Sequence, residues 1–169
     1  MGSILNSGVV RAHGHFTRGC KWLESPLLLA VRLIWGWQFT LTGWGKLRHL
    51  DHVTGFFASL GIPLPGLMAP AISFLEFAGG ILLIVGLLTR LTGFLLAADM
   101  IVAYLVSDLD ALRTLFSNDP SKFWSADPFT FLMASLIALV FGAGAYSLDR
   151  LIQNKIQRRS ISHDSVPQT

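Results

Sequence analysis

The chain has 169 residues, of which 52% are apolar and 14% charged, and its mean hydropathy is +0.56. A soluble domain carries roughly 25% charged residues and reaches about 45–50% apolar only with glycine counted. These values argue against a soluble enzyme, a disordered chain or a nucleic-acid-binding domain. The pI near 9.4 rests on a net charge of only +3, and such a charge needs a location before it implies a partner.

Residues 1–25 are polar and carry Arg11, Arg18, Lys21, His13, His15 and Cys20. This segment is too long and polar for the basic start of a signal peptide, and no small-residue cleavage site follows the next apolar run. The first helix therefore reads as an uncleaved signal anchor. Four apolar stretches then follow at 26–44, 68–88, 91–106 and 128–145, and only three of the 23 charges, Arg32, Glu76 and Asp99, fall within them. About 20 apolar residues cross the ~30 Å hydrocarbon core as a helix, and in lipid every backbone amide must be paired within its own segment. The third stretch is short, so its helix is expected to run on towards Leu109, with Arg90 snorkelling to the interface. A soluble bundle would show a polar stripe at 3.6-residue spacing. Stretch 68–88 has Ser73 and Glu76 as its only strongly polar side chains, so it has no such stripe. The expected fold is an all-α, integral membrane four-helix bundle.

Between the first two stretches, Leu47, Leu50, Val53, Phe56, Phe57 and Leu60 have the spacing of a short amphipathic helix on the membrane. Gly61-Ile62-Pro63-Leu64-Pro65-Gly66 ends it. Between the last two, Leu109, Leu112, Leu115 and Phe116 precede the turn Ser117-Asn118-Asp119-Pro120, and Asp127 before Pro128 has the pattern of an N-cap. Residues 26–152 form one membrane domain, and the polar tail 153–169 is expected to lack structure. Four crossings put both termini on one side. Eight basic residues lie there (Arg11, Arg18, Lys21, Arg90, Arg150, Lys155, Arg158 and Arg159), against Lys46, Arg48, Arg113 and Lys122 opposite. This bias places both termini in the cytoplasm. Trp22, Trp44 and Trp124 are expected interface anchors.

One cysteine, Cys20, cannot make an intrachain disulfide, a haem attachment or an iron–sulfur site. The histidines, His13, His15, His49, His52 and His163, all lie outside the apolar stretches, so no haem is expected between helices. No phosphate-binding loop, dinucleotide fingerprint or nucleophile elbow occurs. His49-Leu50-Asp51-His52 could handle a metal or protons, but a polar interfacial turn explains it more simply, and no metal site is assigned.

Charges within a span are costly and point to function. Arg32, Glu76 and Asp99 sit near the middle of three consecutive stretches, so antiparallel helices would bring them together. Two carboxylates against one guanidinium leave a negative charge, which a proton or another cation must balance; Lys46 on its flexible stem is the candidate. A structural ion pair locking the helices is the alternative. Arg32, Gly36, Phe39, Gly43 and Lys46 share one helix face, whose glycines admit a neighbouring helix or a flat ligand.

Arg32 followed by Phe39, Gly43 and Lys46 resembles the first-helix signature of the DoxX family. Gly61-Ile62-Pro63, Glu76 with Gly79-Gly80, Gly86-Leu87 with Thr89-Arg90, and Gly144-Ala145-Tyr146-Ser147-Leu148-Asp149 continue it across 26–152. The resemblance implies a small bacterial four-helix membrane protein related to the DoxD subunit of thiosulfate:quinone oxidoreductase, with functional positions at Arg32, Lys46 and Glu76. Three functions follow as expectations. One is a cytoplasmic-membrane subunit of a quinone-linked oxidoreductase, working with a partner redox subunit or further copies of itself. In it Arg32 and Lys46 would hold quinone carbonyl oxygens beside Gly43, while Glu76 and Asp99 exchange protons. The others are a non-catalytic scaffold and a small transporter or proton path through Glu76 and Asp99.

Overall fold

The computed structural model describes residues 2–116 and 119–164, with side chains over 22–116 and 119–157. Ser117 and Asn118 of the expected turn, residues 165–169, and the side chains of His13, His15, Cys20 and His163 lie outside it. Among the described residues there are eight helices and no strand. They are α1 Gly2–Arg48, α2 Leu50–Ser59, α3 Pro65–Val85, α4 Thr89–Val106, α5 Leu109–Thr114, α6 Ser121–Ser125, α7 Pro128–Phe141 and α8 Leu148–Asp164. Four helices alone therefore do not describe the chain.

Several boundaries differ from the sequence reading. α1 runs through Pro26 without a break and takes in the segment before it. The polar residues after 153 continue α8 to Asp164, because Gln, Lys and Arg are good helix formers even without an apolar face. α4 stops at Val106, with Ser107 closing it, rather than running on to Leu109. Asp127 precedes α7 but makes no side-chain cap bond, since its φ of −51° and ψ of −41° are already helical, and a capping side chain needs an extended backbone. The amphipathic stretch does form α2, and Gly61 ends it at a φ of +73°, a conformation that costs glycine little.

Among the described residues two helices, α3 and α4, are long and apolar enough to cross a membrane, and α7 is a shorter apolar helix. Their polarity is inverted relative to a soluble protein. Phe74, Ile81 and Val85 of α3, Phe94, Ile101 and Leu105 of α4, and Val140 and Phe141 of α7 are exposed, whereas Arg32, Ser73, Glu76, Thr92, Asp99 and Ser135 are buried. An apolar exterior around polar groups is stable in lipid and a liability in water. The buried Ser73 and Ser135 hydroxyls donate to the Ala69 and Phe131 carbonyls one turn back, so neither is left unsatisfied.

α1 packs along α3 and α4 along α7, with α3 against α4 and α1 against α7 closing the ring. Glycines set the first contact. A Cβ at Gly36 would meet the Gly80 carbonyl, one at Gly80 the Gly36 carbonyl, and one at Gly43 the Phe77 backbone. The two backbones thus touch without intervening side chains, the close approach that small residues permit in membranes. Gly93 does the same for α4 against Ser135 and Leu139 of α7. Phe39, Leu83, Leu96, Met100 and Tyr104 fill the centre. The Tyr104 hydroxyl donates to the Phe123 carbonyl at 2.9 Å, tying α6 to α4.

Gly43→Ala should lower thermal stability in detergent by about 1–3 kcal/mol, the usual cost of overpacking. Gly45→Ala, where an added Cβ meets nothing within 4 Å, should leave it unchanged. Tryptophan-fluorescence melts of the two variants check this.

Candidate functional site

Two polar clusters lie at opposite ends of the ring. At one end Arg32 of α1 is buried and its guanidinium donates to the Ala143 carbonyl at 2.5 Å and the Tyr146 carbonyl at 2.6 Å. Both acceptors lie in the link between α7 and α8. Asp149 at the start of α8 accepts from the Leu88 and Thr89 amides at 2.8 and 2.9 Å, supplying α4 with an N-terminal cap from outside its own sequence. The Asp149 amide in turn donates to the Gly86 carbonyl at 3.0 Å. Gly86 has a φ of +72°, and a Cβ on it would strike the Arg32 guanidinium. Arg32, Gly86 and Asp149 therefore lock α1, the α3–α4 turn and the α7–α8 link together.

At the other end a cavity of about 530 Å³ opens between α1, α2, α3, α4 and α7. Its volume lies within the usual range for a small-molecule site. It extends from the buried Phe39, Glu76 and Asp99 to the exposed His52 and Asp127. The walls are mainly apolar and aromatic, with Phe57 from α2 and Leu60 just after it, Met68 and Ile72 from α3, Met100 from α4 and Phe131 from α7. Phe131 meets Phe39 edge to face, with ring centroids 4.7 Å apart. Lys46 donates to Glu76 Oε1 at 2.5 Å, and Asp99 lies within the electrostatic reach of both. Asp99 lies within side-chain hydrogen-bond reach of Glu76, and Glu76 Oε2 and Asp99 Oδ2 are both buried from solvent.

The structure brings Lys46, Glu76 and Asp99 together but separates Arg32 from them. Arg32 and Lys46 lie fourteen residues apart on one straight helix, about 21 Å at 1.5 Å per residue, so one compact site cannot hold both. The cation beside Glu76 is Lys46. Arg32 is also absent from the cavity wall, as is Gly43, whose open side is filled by α3. The histidine pair divides: His52 lines the cavity, while exposed His49 pairs through Nδ1 with the Gly45 carbonyl at 3.0 Å. No group of three metal-ligating side chains occurs among the described residues. Trp22, Trp44 and Trp124 are exposed, and Arg48 stacks over the Trp44 ring at 5.4 Å.

Sequence reasoning missed the carbonyls that hold Arg32 and the capping role of Asp149, because backbone acceptors leave no mark on a sequence. It also missed Phe131 and Asp127 as cavity residues, since the polar residues of α7, Thr130 and Ser135, are not on the cavity wall and so do not mark it. Arg32→Lys should lower stability by about 1–3 kcal/mol, because an ammonium cannot span two carbonyls as the guanidinium fork does. Asp149→Asn should cost about 1 kcal/mol, the typical value of a helix cap. Melting midpoints in detergent measure both.

The DoxX family model matches residues 27–108. The chain is 29% identical over 136 residues to the inner membrane protein YqjF of Escherichia coli, covering 80% of this chain and 98% of YqjF. It is 30% identical over 136 residues to an uncharacterized membrane protein of Mycobacterium tuberculosis, covering 77% of this chain and 83% of that protein. CatD of Bacillus subtilis, whose name assigns it provisionally to the oxidoreductases, is 33% identical over 117 residues, covering 61% of this chain and 86% of CatD. No solved structure matches. With its inverted polarity, its apolar helices and these relatives, the chain is a membrane protein that belongs to the DoxX family.

Proposed function

We propose that the chain is a quinone-binding membrane subunit of an oxidoreductase complex, built on four spans (the 26–48 part of α1, then α3, α4 and α7). The E. coli relative's name supports the bacterial inner membrane as its location, and the basic residues support cytoplasmic termini. The observation that carries the reading is the cavity, whose aromatic and aliphatic walls close on the Lys46–Glu76–Asp99 cluster. Such walls suit a flat lipid-soluble ring, and the few polar groups at one end would orient it. Lys46 has N–H groups beyond the one given to Glu76 and can serve a ring oxygen, while Glu76 and Asp99 are the groups able to take up or release protons there. Arg32 and Gly43 are left out, the first because its donors hold the α7–α8 link and the second because α3 fills its open side. The name of the B. subtilis relative points towards the same chemistry. In this reading a partner subunit would supply the redox centre.

A scaffold reading draws on a different property of the same pair: the Lys46–Glu76 bond ties α1 to α3. It predicts that Glu76→Gln lowers abundance but leaves the specific activity of any associated complex intact.

Gentle detergent purification followed by mass spectrometry of extracted lipids distinguishes the two. Co-purified quinone should fall roughly tenfold or more in Lys46→Ala and Glu76→Gln, and should survive Arg32→Lys in whatever fraction remains folded. A well-folded preparation with no quinone and no affinity for added quinone would overturn the proposal.

A further inference from the structure

The cavity wall reaches the lipid-facing surface at Val102 of α4. This residue lines the cavity yet is 50% exposed, next to the exposed Ile101. Leu95, seven residues earlier, lies on the same stripe of α4. It sits about 10 Å further along the axis at 1.5 Å per residue, near the helix midpoint. Leu95 lines a second space, a groove of about 160 Å³ in the seam between α3 and α4. α3 makes the same transition within one step, giving Ile72 to the cavity and its neighbour Ala71 to the groove. The groove walls are apolar apart from Thr92, and Phe74 and Leu95 on them are exposed. The groove therefore opens towards lipid and continues the cavity towards the bilayer centre.

The choice of occupant follows from the pairing of these two spaces. A ring without a tail would fill the cavity and leave the groove to bulk lipid. A phospholipid acyl chain would suit the groove, but would bring only methylene groups to the Lys46 ammonium on the cavity wall. A flat ring with one long apolar tail meets both. Its head lies between aromatic walls with an oxygen towards Lys46, and its tail gains van der Waals contact along the seam.

Resting on the reading of the cavity as a quinone-type site, we infer that the α3–α4 seam is the tail-binding part of that site. The chain then takes long-tailed rings in preference to tailless ones. Ala71 and Val102, at the junction of the two spaces, are the residues that set this specificity.

Native mass spectrometry of the full chain released from detergent micelles tests this with three probes. They are a tailless benzoquinone, its long-tailed polyprenyl homologue, and the polyprenyl alcohol of the same tail length. The long-tailed quinone should bind roughly tenfold tighter than either of the others. Ala71→Phe fills the groove at the junction and should remove most of that advantage, while the tailless ring stays within about twofold of its wild-type affinity. Ile101→Phe, outside both spaces, should change neither. If Ala71→Phe does not fold, Val102→Phe blocks the same junction and should have the same effect. A tail advantage that is absent, or untouched by both junction variants, would overturn the seam assignment and leave the quinone-site reading standing. The alcohol binding as tightly as the tailed quinone would do the same. No binding of either quinone would overturn both.

Discussion

The direct backbone contact between α1 and α3 governs the rest of the molecule. Gly36 against Gly80, and Gly43 against Phe77, leave no room for a side chain between the helices. That contact fixes how far one helix is slid along the other. Side chains between them would make the slide adjustable, because flexible packing tolerates small shifts, but two backbones in contact do not. With the slide set, Lys46 arrives beside Glu76 and Arg32 arrives beside the α3–α4 turn.

The family motifs then sort into two assemblies. Arg32, Gly86, Ser147 and Asp149 meet at one end, where the guanidinium and carboxylate are spent on backbone carbonyls and amides. Lys46, Ile62 and Glu76 meet at the other, around a cavity. The first assembly joins α1, the α3–α4 turn and the α7–α8 link. Buried polar atoms without a hydrogen-bond partner occur at both ends, Arg32 Nε and Thr89 Oγ1 at the first and Glu76 Oε2 and Asp99 Oδ2 at the second. What separates the two is the cavity, which only the second assembly lines.

The same division explains how this chain tolerates charge in an apolar setting. A buried ion pair adds little net stability, but breaking it by removing one partner is expensive. Here only Glu76 is buried, the Lys46 side chain being 36% exposed, so the dependence runs mainly one way: removing Lys46 would leave the buried Glu76 and its neighbour Asp99 without their cation. α2 and the residue that ends it line the cavity with Phe57 and Leu60 while leaving His52 exposed at its edge. The ionisable groups are thus connected from the buried Glu76 and Asp99 to the surface along one wall-lined space.

Composition and the position of charges were enough to establish an all-helical membrane chain. The reason is that a hydrocarbon environment admits few backbone solutions and excludes most charges. The same features singled out Glu76, Asp99, Lys46 and the amphipathic α2, since charge in an apolar run and helical periodicity are local properties. Partnership was not local. Arg32 matched Glu76 in depth only if each apolar run was centred independently, and the α1–α3 slide decided otherwise. The carbonyls of Ala143 and Tyr146 carry no side-chain signature, and Phe131 is indistinguishable by sequence from its apolar neighbours on α7. The sequence by itself determined which residues had to avoid lipid. Only the tertiary structure decided which of them face each other, because that depends on helix offset set by glycine contacts far along the chain.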